Sequence, residues 1–183
     1  MAGASARGAS CSRERIYSTY MKRRLATVLI VFLATAAANA QQTPAPPPAM
    51  PYGAPIGIEA AKRVMAAAEA EATKNRWSMA IVILDSTGHI VLLEKLDDTQ
   101  YGSIAAAEDK ARSALDFKRP TKVFEDLVAQ GGLGLRTLAL HGASPLEGGF
   151  PIIRDGKIVG AIGVSGGSSV QDGQVARAGV DAK

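Results

Sequence analysis

Glu147-Gly148-Gly149-Phe150-Pro151-Ile152-Ile153-Arg154-Asp155-Gly156-Lys157-Ile158-Val159-Gly160-Ala161-Ile162-Gly163-Val164-Ser165-Gly166-Gly167, continued by Ser168-Ser169-Val170-Gln171-Asp172, is the stretch whose reading decides the fold. Two apolar, β-branched runs flank Asp155-Gly156, a dipeptide suited to a two-residue type I′ turn because both positions need positive φ. The segment therefore predicts an antiparallel hairpin. Its second strand enters a glycine-rich turn, and Ser168-x-x-Gln171 matches the capping box that opens a helix. That final helix carries Val170, Val175, Ala178 and Val180.

Upstream, Ser78 to Leu84 and His89 to Leu96 are apolar runs joined by the turn signal Asp85-Ser86-Thr87-Gly88, which predicts a second antiparallel hairpin. Ile58, Ala61, Met65, Ala68 and Ala72 recur at helical spacing, so Ile58 to Lys74 reads as an amphipathic helix with a narrow, alanine-rich buried stripe. Ile104, Ala107, Ala111, Ala114, Leu115 and Phe117 mark another helix from Ser103 to about Lys118, which Pro120 ends. Thr121 is expected to cap a short helix through Val123, Phe124, Leu127 and Val128. Gly131 to Gly134 break it, and Leu135 to Leu140 are expected to form an edge strand.

Hairpins dominate this order of elements, in place of the regular strand-helix alternation of a parallel doubly wound sheet. The fold class that follows is α/β in the α+β sense. A central antiparallel sheet has helices packed against it in an α-β-α arrangement, similar to profilin-like and PAS-like domains.

The ends of the chain are of different character. Met21-Lys22-Arg23-Arg24 is a basic region, Leu25 to Leu33 is apolar, and Ala38-Asn39-Ala40 closes the run as a small-x-small cleavage site. Residues 1–40 are read as a secretory signal peptide, with Met21 the expected true start. The apolar run is too short for a stable membrane span. Residues 41–55, with six prolines and almost no charge, are read as a Pro-rich linker, and 56–183 as one domain. The expected location is periplasmic or secreted.

The chain has 21 basic and 17 acidic residues, but six of the basic residues lie before position 41 against one acid, Glu14. The remainder holds 15 basic and 16 acidic residues, which gives no reason to propose nucleic acid as a partner. Cys11, the only cysteine, lies in the leader, so disulfides, cysteine nucleophiles and thiolate metal sites are excluded from the processed protein.

Chemistry-bearing residues are few. Gly163, Ser165 and Gly166 lie where a strand end meets a helix N-terminus, and their backbone N–H groups are a candidate cradle for a carboxylate or phosphate. The alternative is that these glycines serve tight turns and close packing. Asp172, in the first turn of the last helix, reads as a cap. His89 starts a strand, whereas His141 sits in an irregular link that can present a ligand. Lys110, Arg112, Lys118, Arg119 and Lys122 read as a solvated basic face, from which Lys110 or Arg119 can pair with an anion if a cavity borders it. No catalytic set is evident, since Ser165 has no recognisable histidine partner.

Taken together, Asp85-x-x-Gly88, Leu96-Asp97-Asp98, Gly102-Ser103, Asp109-Lys110-Ala111, Phe117-Lys118-Arg119-Pro120-Thr121, Gly148-Gly149-Phe150-Pro151-Ile152 and Gly160-Ala161-Ile162-Gly163-Val164-Ser165-Gly166-Gly167 with Asp172 resemble the GlcG/HbpS-like haem-binding family, to which the C-terminal domain of PduO-type proteins is related. The resemblance spans about Ile58 to Gly179. It implies an α-β-α domain, assembly into a homo-oligomer, and haem as the cofactor of an exported haem-binding or redox-sensing accessory protein. Some members hold iron through a residue near the first helix, and no histidine stands there in this chain. With haem implied, the expected metal ligand is His141, with His89, Tyr101, Met79 and the Thr121 hydroxyl as other candidates, and Lys110 and Arg119 as propionate partners. Two other functions fit the residues: a binding protein or enzyme for a small hydroxy-carboxylate held by the glycine turn, and a ligand-free oligomeric structural or sensor module.

Overall fold

The computed structural model describes residues 49–182. The leader and the first part of the Pro-rich stretch lie outside the described residues. The order is α1 (Ile58–Asn75), β1 (Ala80–Asp85), β2 (Ile90–Lys95), α2 (Gly102–Asp116), α3 (Lys122–Ala129), a 3-10 helix (Gly132–Ala139), β3 (Gly149–Arg154), β4 (Lys157–Ser165) and α4 (Ser169–Asp181). The four strands form one antiparallel sheet in the order β2-β1-β4-β3.

Strand alternation sorts the core into two layers. Ile81 and Ile83 stand opposite Val164 and Ile162 and pack with the alanine stripe of α1 and with Val175 and Ala176 of α4. Val82 and Leu84, opposite Gly163 and Ala161, face Ala107, Ala111, Ala114 and Leu115 of α2. β1 is buried on both faces, which explains why its sequence is uniformly apolar rather than alternating. The sheet is thus sandwiched between α1 and α4 on one side and α2 on the other.

Local chemistry fixes the ends of the elements. Asp155 and Gly156 take φ of 51° and 70°, the turn their sequence predicts. The Ser168/Gln171 capping box opens α4 with both reciprocal bonds present. α2 closes through bonds from Lys118 N to Leu115 O and from Arg119 N to Ala114 O, with Lys118 at φ 55°. This is a Schellman turn with lysine where glycine is usual, a left-handed residue that costs about 1–2 kcal/mol.

Two expectations are corrected. Leu135 to Leu140 do not form a strand: the glycines before them lead into a 3-10 helix packed beside α3, and Leu133, Leu135, Leu138 and Leu140 remain exposed. Thr121 precedes α3 but does not cap it with its side chain. Its hydroxyl instead accepts from Gly149 N (2.9 Å), while Thr121 N donates to Gly149 O (3.0 Å), which ties the α2–α3 corner to the start of β3.

The chain before α1 is extended, as its prolines require, and lies beside the first residues of β4. Ile158 N donates to Pro51 O (3.0 Å), Gly53 N to Ile158 O (2.8 Å) and Ile56 N to Val159 O (2.8 Å). Tyr52 forms an isolated parallel bridge with Ile158. No helix among the described residues is long and apolar enough to cross a membrane.

Candidate functional site

The glycine-rich turn closes on the protein's own side chains. Gly167 N donates to Asp172 Oδ1 (2.9 Å) and Ser168 N to Gln171 Oε1 (2.9 Å), so both donors are already satisfied. Gly163 serves packing, because a Cβ there would stand 1.9 Å from Ala107 O and 2.6 Å from Ala111 N. Its bare backbone lets α2 lie directly on β4. Gly166 is likewise crowded, with Ser78 O 2.2 Å from the position of a Cβ, and Ser165 is buried at the strand end.

Asp172 does more than cap. Its other oxygen, Oδ2, lies 2.6 Å from Lys110 Nζ, which also donates to Val164 O at 3.1 Å. The two side chains are 2% and 3% exposed, so this ion pair is wholly inside the protein. It joins α2 to α4 at the end of the sheet. Gly148 and Gly149 make room for it: a Cβ on Gly148 would press on Val164 O and Lys110 Cδ, and one on Gly149 would meet Lys110 O at 2.2 Å. The solvated-face reading of the basic group therefore fails for Lys110, whose position on the α2 stripe that includes Ala107, Ala111 and Ala114 turns it inward.

The remaining candidates do not converge. Tyr101 is 91% exposed at the start of α2. Met79 is fully buried in the core. His89 is exposed in the β1–β2 turn, with Nδ1 2.8 Å from Thr87 Oγ1. There burial raises the Asp85 carboxyl, but the bonds from Thr87 Oγ1, His89 N and Thr87 N together outweigh it and hold the group below the ordinary carboxylate range. His141 lines an open cleft of about 500 Å³ with Asp109, Arg112 and Ser144. No group of three or more His, Cys, Asp or Glu side chains among the described residues is placed to hold a metal ion.

Arg119 lines a different cavity, an open slot of about 380 Å³ along the free edge of β3. Lys118, Arg119 and Pro120 from the α2–α3 corner form one wall, and Arg177, Val180 and Asp181 of α4 the other. Phe150, Pro151 and Ile153 form the floor, and Met50 from the N-terminal segment completes the rim. Pro151 leaves one edge position without an N–H, a usual feature of an edge strand. The Arg177 guanidinium lies 4.4 Å from the Phe150 ring centroid, and Arg119 lies 5.8 Å from that of Phe124. None of Lys118, Arg119 and Arg177 is in a salt bridge among the described residues. Next to the slot, Glu147 lies against Gly173 of α4. Burial raises its carboxyl above the usual range; Glu125 and Asp126 add to this, and Lys122 and Arg177 oppose it.

The slot combines an apolar floor with cations that form no salt bridge among the described residues, a lining suited to a flat, largely apolar anion. Sequence reasoning found Arg119 but missed Arg177, Met50 and the Lys110–Asp172 pair. Arg177 carries no local signal, because what marks it is Phe150, distant in sequence. Asp172 was visible only as a helix-start carboxylate.

A family model described as "Haem degrading protein HbpS-like" matches residues 56–181. Protein GlcG of Escherichia coli K12 is 40% identical over 110 residues, covering 60% of this chain and 81% of GlcG. A crystal structure of a doubly substituted HbpS from Streptomyces reticuli is similar with a TM-score of 0.63 and 27% identity, over 75% of this chain and 93% of that one. The crystal structure of a PduOC:heme complex gives a TM-score of 0.62 at 25% identity, over 69% and 93% of the two chains. With a family match across the whole α-β-α domain, the chain belongs to the HbpS-like family.

Proposed function

We propose that this protein is an exported haem-binding protein, a homo-oligomeric accessory of haem or redox sensing, and that its slot beside β3 takes the haem. The observation that carries the reading is the slot's lining. Haem needs apolar walls for its ring and cations for its propionates. Phe150, Pro151, Ile153, Pro120 and Val180 supply the first, and Lys118, Arg119 and Arg177 the second. The PduOC:heme complex, similar in fold, supports the same cofactor. A slot of about 380 Å³ is near the lower end of small-molecule sites, so it covers part of a macrocycle, and a second copy of the chain is the proposed cover for the rest. Export rests on the basic, apolar and small-x-small pattern of residues 21–40.

The hydroxy-carboxylate reading has less support than haem, because Gly167 N and Ser168 N, which adjoin the cradle expected at Gly163, Ser165 and Gly166, are bonded to Asp172 and Gln171. A hemin titration followed at the Soret band tests the proposal. Arg119→Ala and Arg177→Ala should each weaken binding about fivefold, as expected for partly exposed ion pairs of about 1 kcal/mol. A wild-type spectrum identical to that of free hemin would reject haem and favour the ligand-free module. Unchanged affinity in the double variant would place haem elsewhere.

A further inference from the structure

Apolar walls and cations leave one requirement of a haem site unassigned: a side chain able to bond the iron. Arginine has no lone pair to offer, since it stays protonated in proteins. Lys118 is engaged, with its ammonium 4.2 Å from the Tyr52 ring centroid and donating to Met50 O at 3.0 Å. Phe150, Pro151, Ile153, Pro120 and Val180 have no donor atoms. Asp181 is an anion on the last turn of α4, among the cations that would receive the propionates. Among the lining residues that leaves the thioether of Met50, a soft, neutral donor of the kind that haem iron accepts in cytochromes.

The placement of Met50 strengthens the case. It stands on the extended segment ahead of α1, where the backbone on its C-terminal side is held firmly. Pro51 O and Gly53 N bond Ile158, Gly53 O accepts from Ser86 Oγ (3.0 Å), and Tyr52 Oη donates to Leu115 O (2.9 Å). The Met50 carbonyl is tied to Lys118, yet the residue itself remains 36% exposed at the slot. A partly exposed thioether next to a tied backbone segment, beside a cavity whose lining offers no other neutral donor, suits a ligand-binding residue.

We infer that Met50 is the iron-binding side chain of the slot, supplied by the segment that precedes the first helix. The inference rests on the haem reading and makes a separate claim. Lys118 touches both this segment and the slot.

Met50→Leu keeps the volume and apolarity of the side chain and removes only the sulfur. The purified full-length protein is titrated with hemin, and ferric and ferrous absorption and electron paramagnetic resonance spectra are recorded for wild type, Met50→Leu and Met50→His. Urea midpoints confirm that the variants fold. Met50→Leu should still bind hemin, about tenfold more weakly, with its ferric iron shifted toward high spin. Met50→His should restore a low-spin spectrum distinct from that of the wild type. Hemin-loaded Met50→Leu with the wild-type spectrum and spin state would overturn the assignment, even with the arginine variants still weakening binding. Failure of the wild type to bind hemin at all would overturn the haem reading and this inference with it.

Discussion

Replacing Asp172 with Asn removes one charge from the Lys110–Asp172 pair and keeps its shape. Lys110 would then hold a buried ammonium opposite a neutral amide, with Val164 O as its one other partner among the described residues. Breaking a buried pair from one side costs about 3–5 kcal/mol, because the remaining charge is uncompensated. For Asp172→Ala, loss of the Gly167 N–H bond adds about 1 kcal/mol. Against a total stability of about 5–15 kcal/mol, either variant should lose about a fifth of its margin or more. Lys110→Met leaves the carboxylate buried instead and should cost a similar amount. The double variant Lys110→Met/Asp172→Leu has no unpaired charge, so it should recover most of the loss, with a coupling energy of several kcal/mol. Urea unfolding of the wild type, Lys110→Met, Asp172→Leu and the double variant measures this coupling. Single variants within about 1 kcal/mol of wild type, or losses that simply add in the double, would refute the argument.

Gly163→Ala places a methyl where Ala107 O and the Ala111 backbone stand, so α2 must move off the sheet, at a cost of about 1–3 kcal/mol read from thermal unfolding; an unchanged Tm would contradict that contact. Glu147→Gln tests the raised carboxyl. Because the folded protein holds this proton more tightly than the unfolded chain, wild-type stability declines as pH rises from the ordinary carboxylate range through the raised folded value. The glutamine variant lacks that decline, so its Tm should exceed that of the wild type at pH 7, with the gap closing near pH 4; a gap independent of pH would refute the assignment.

Most of the fold was legible because it is written in short-range signals. Asp155-Gly156, the Ser168/Gln171 box and the alanine stripe of α1 each act over a few residues, and all three are present in the structure. The 3-10 helix was misread because Leu135 to Leu140, taken alone, have the apolarity of a strand, whereas the positive-φ glycines Gly131 and Gly132 turn the chain into a 3-10 helix beside α3. The site was harder to read. Lys110 is polar on an otherwise small, apolar stripe, which was the one sign of its burial. Its partner lies 62 residues away, and no local pattern encodes that distance. The slot is assembled from four separate parts of the chain, and only the Arg119 corner was recognisable before those parts were brought together.

The extended segment ahead of α1 bears on where this domain can be cut. The family match begins at Ile56, and an expression fragment designed from it would retain every helix and strand. It would also discard Pro51 and Gly53, leaving the N–H and C=O of Ile158 open at the start of β4. Open backbone groups at the start of a strand invite pairing with another molecule, so such a fragment should aggregate more readily, whereas one beginning ahead of Met50 keeps the start of β4 covered.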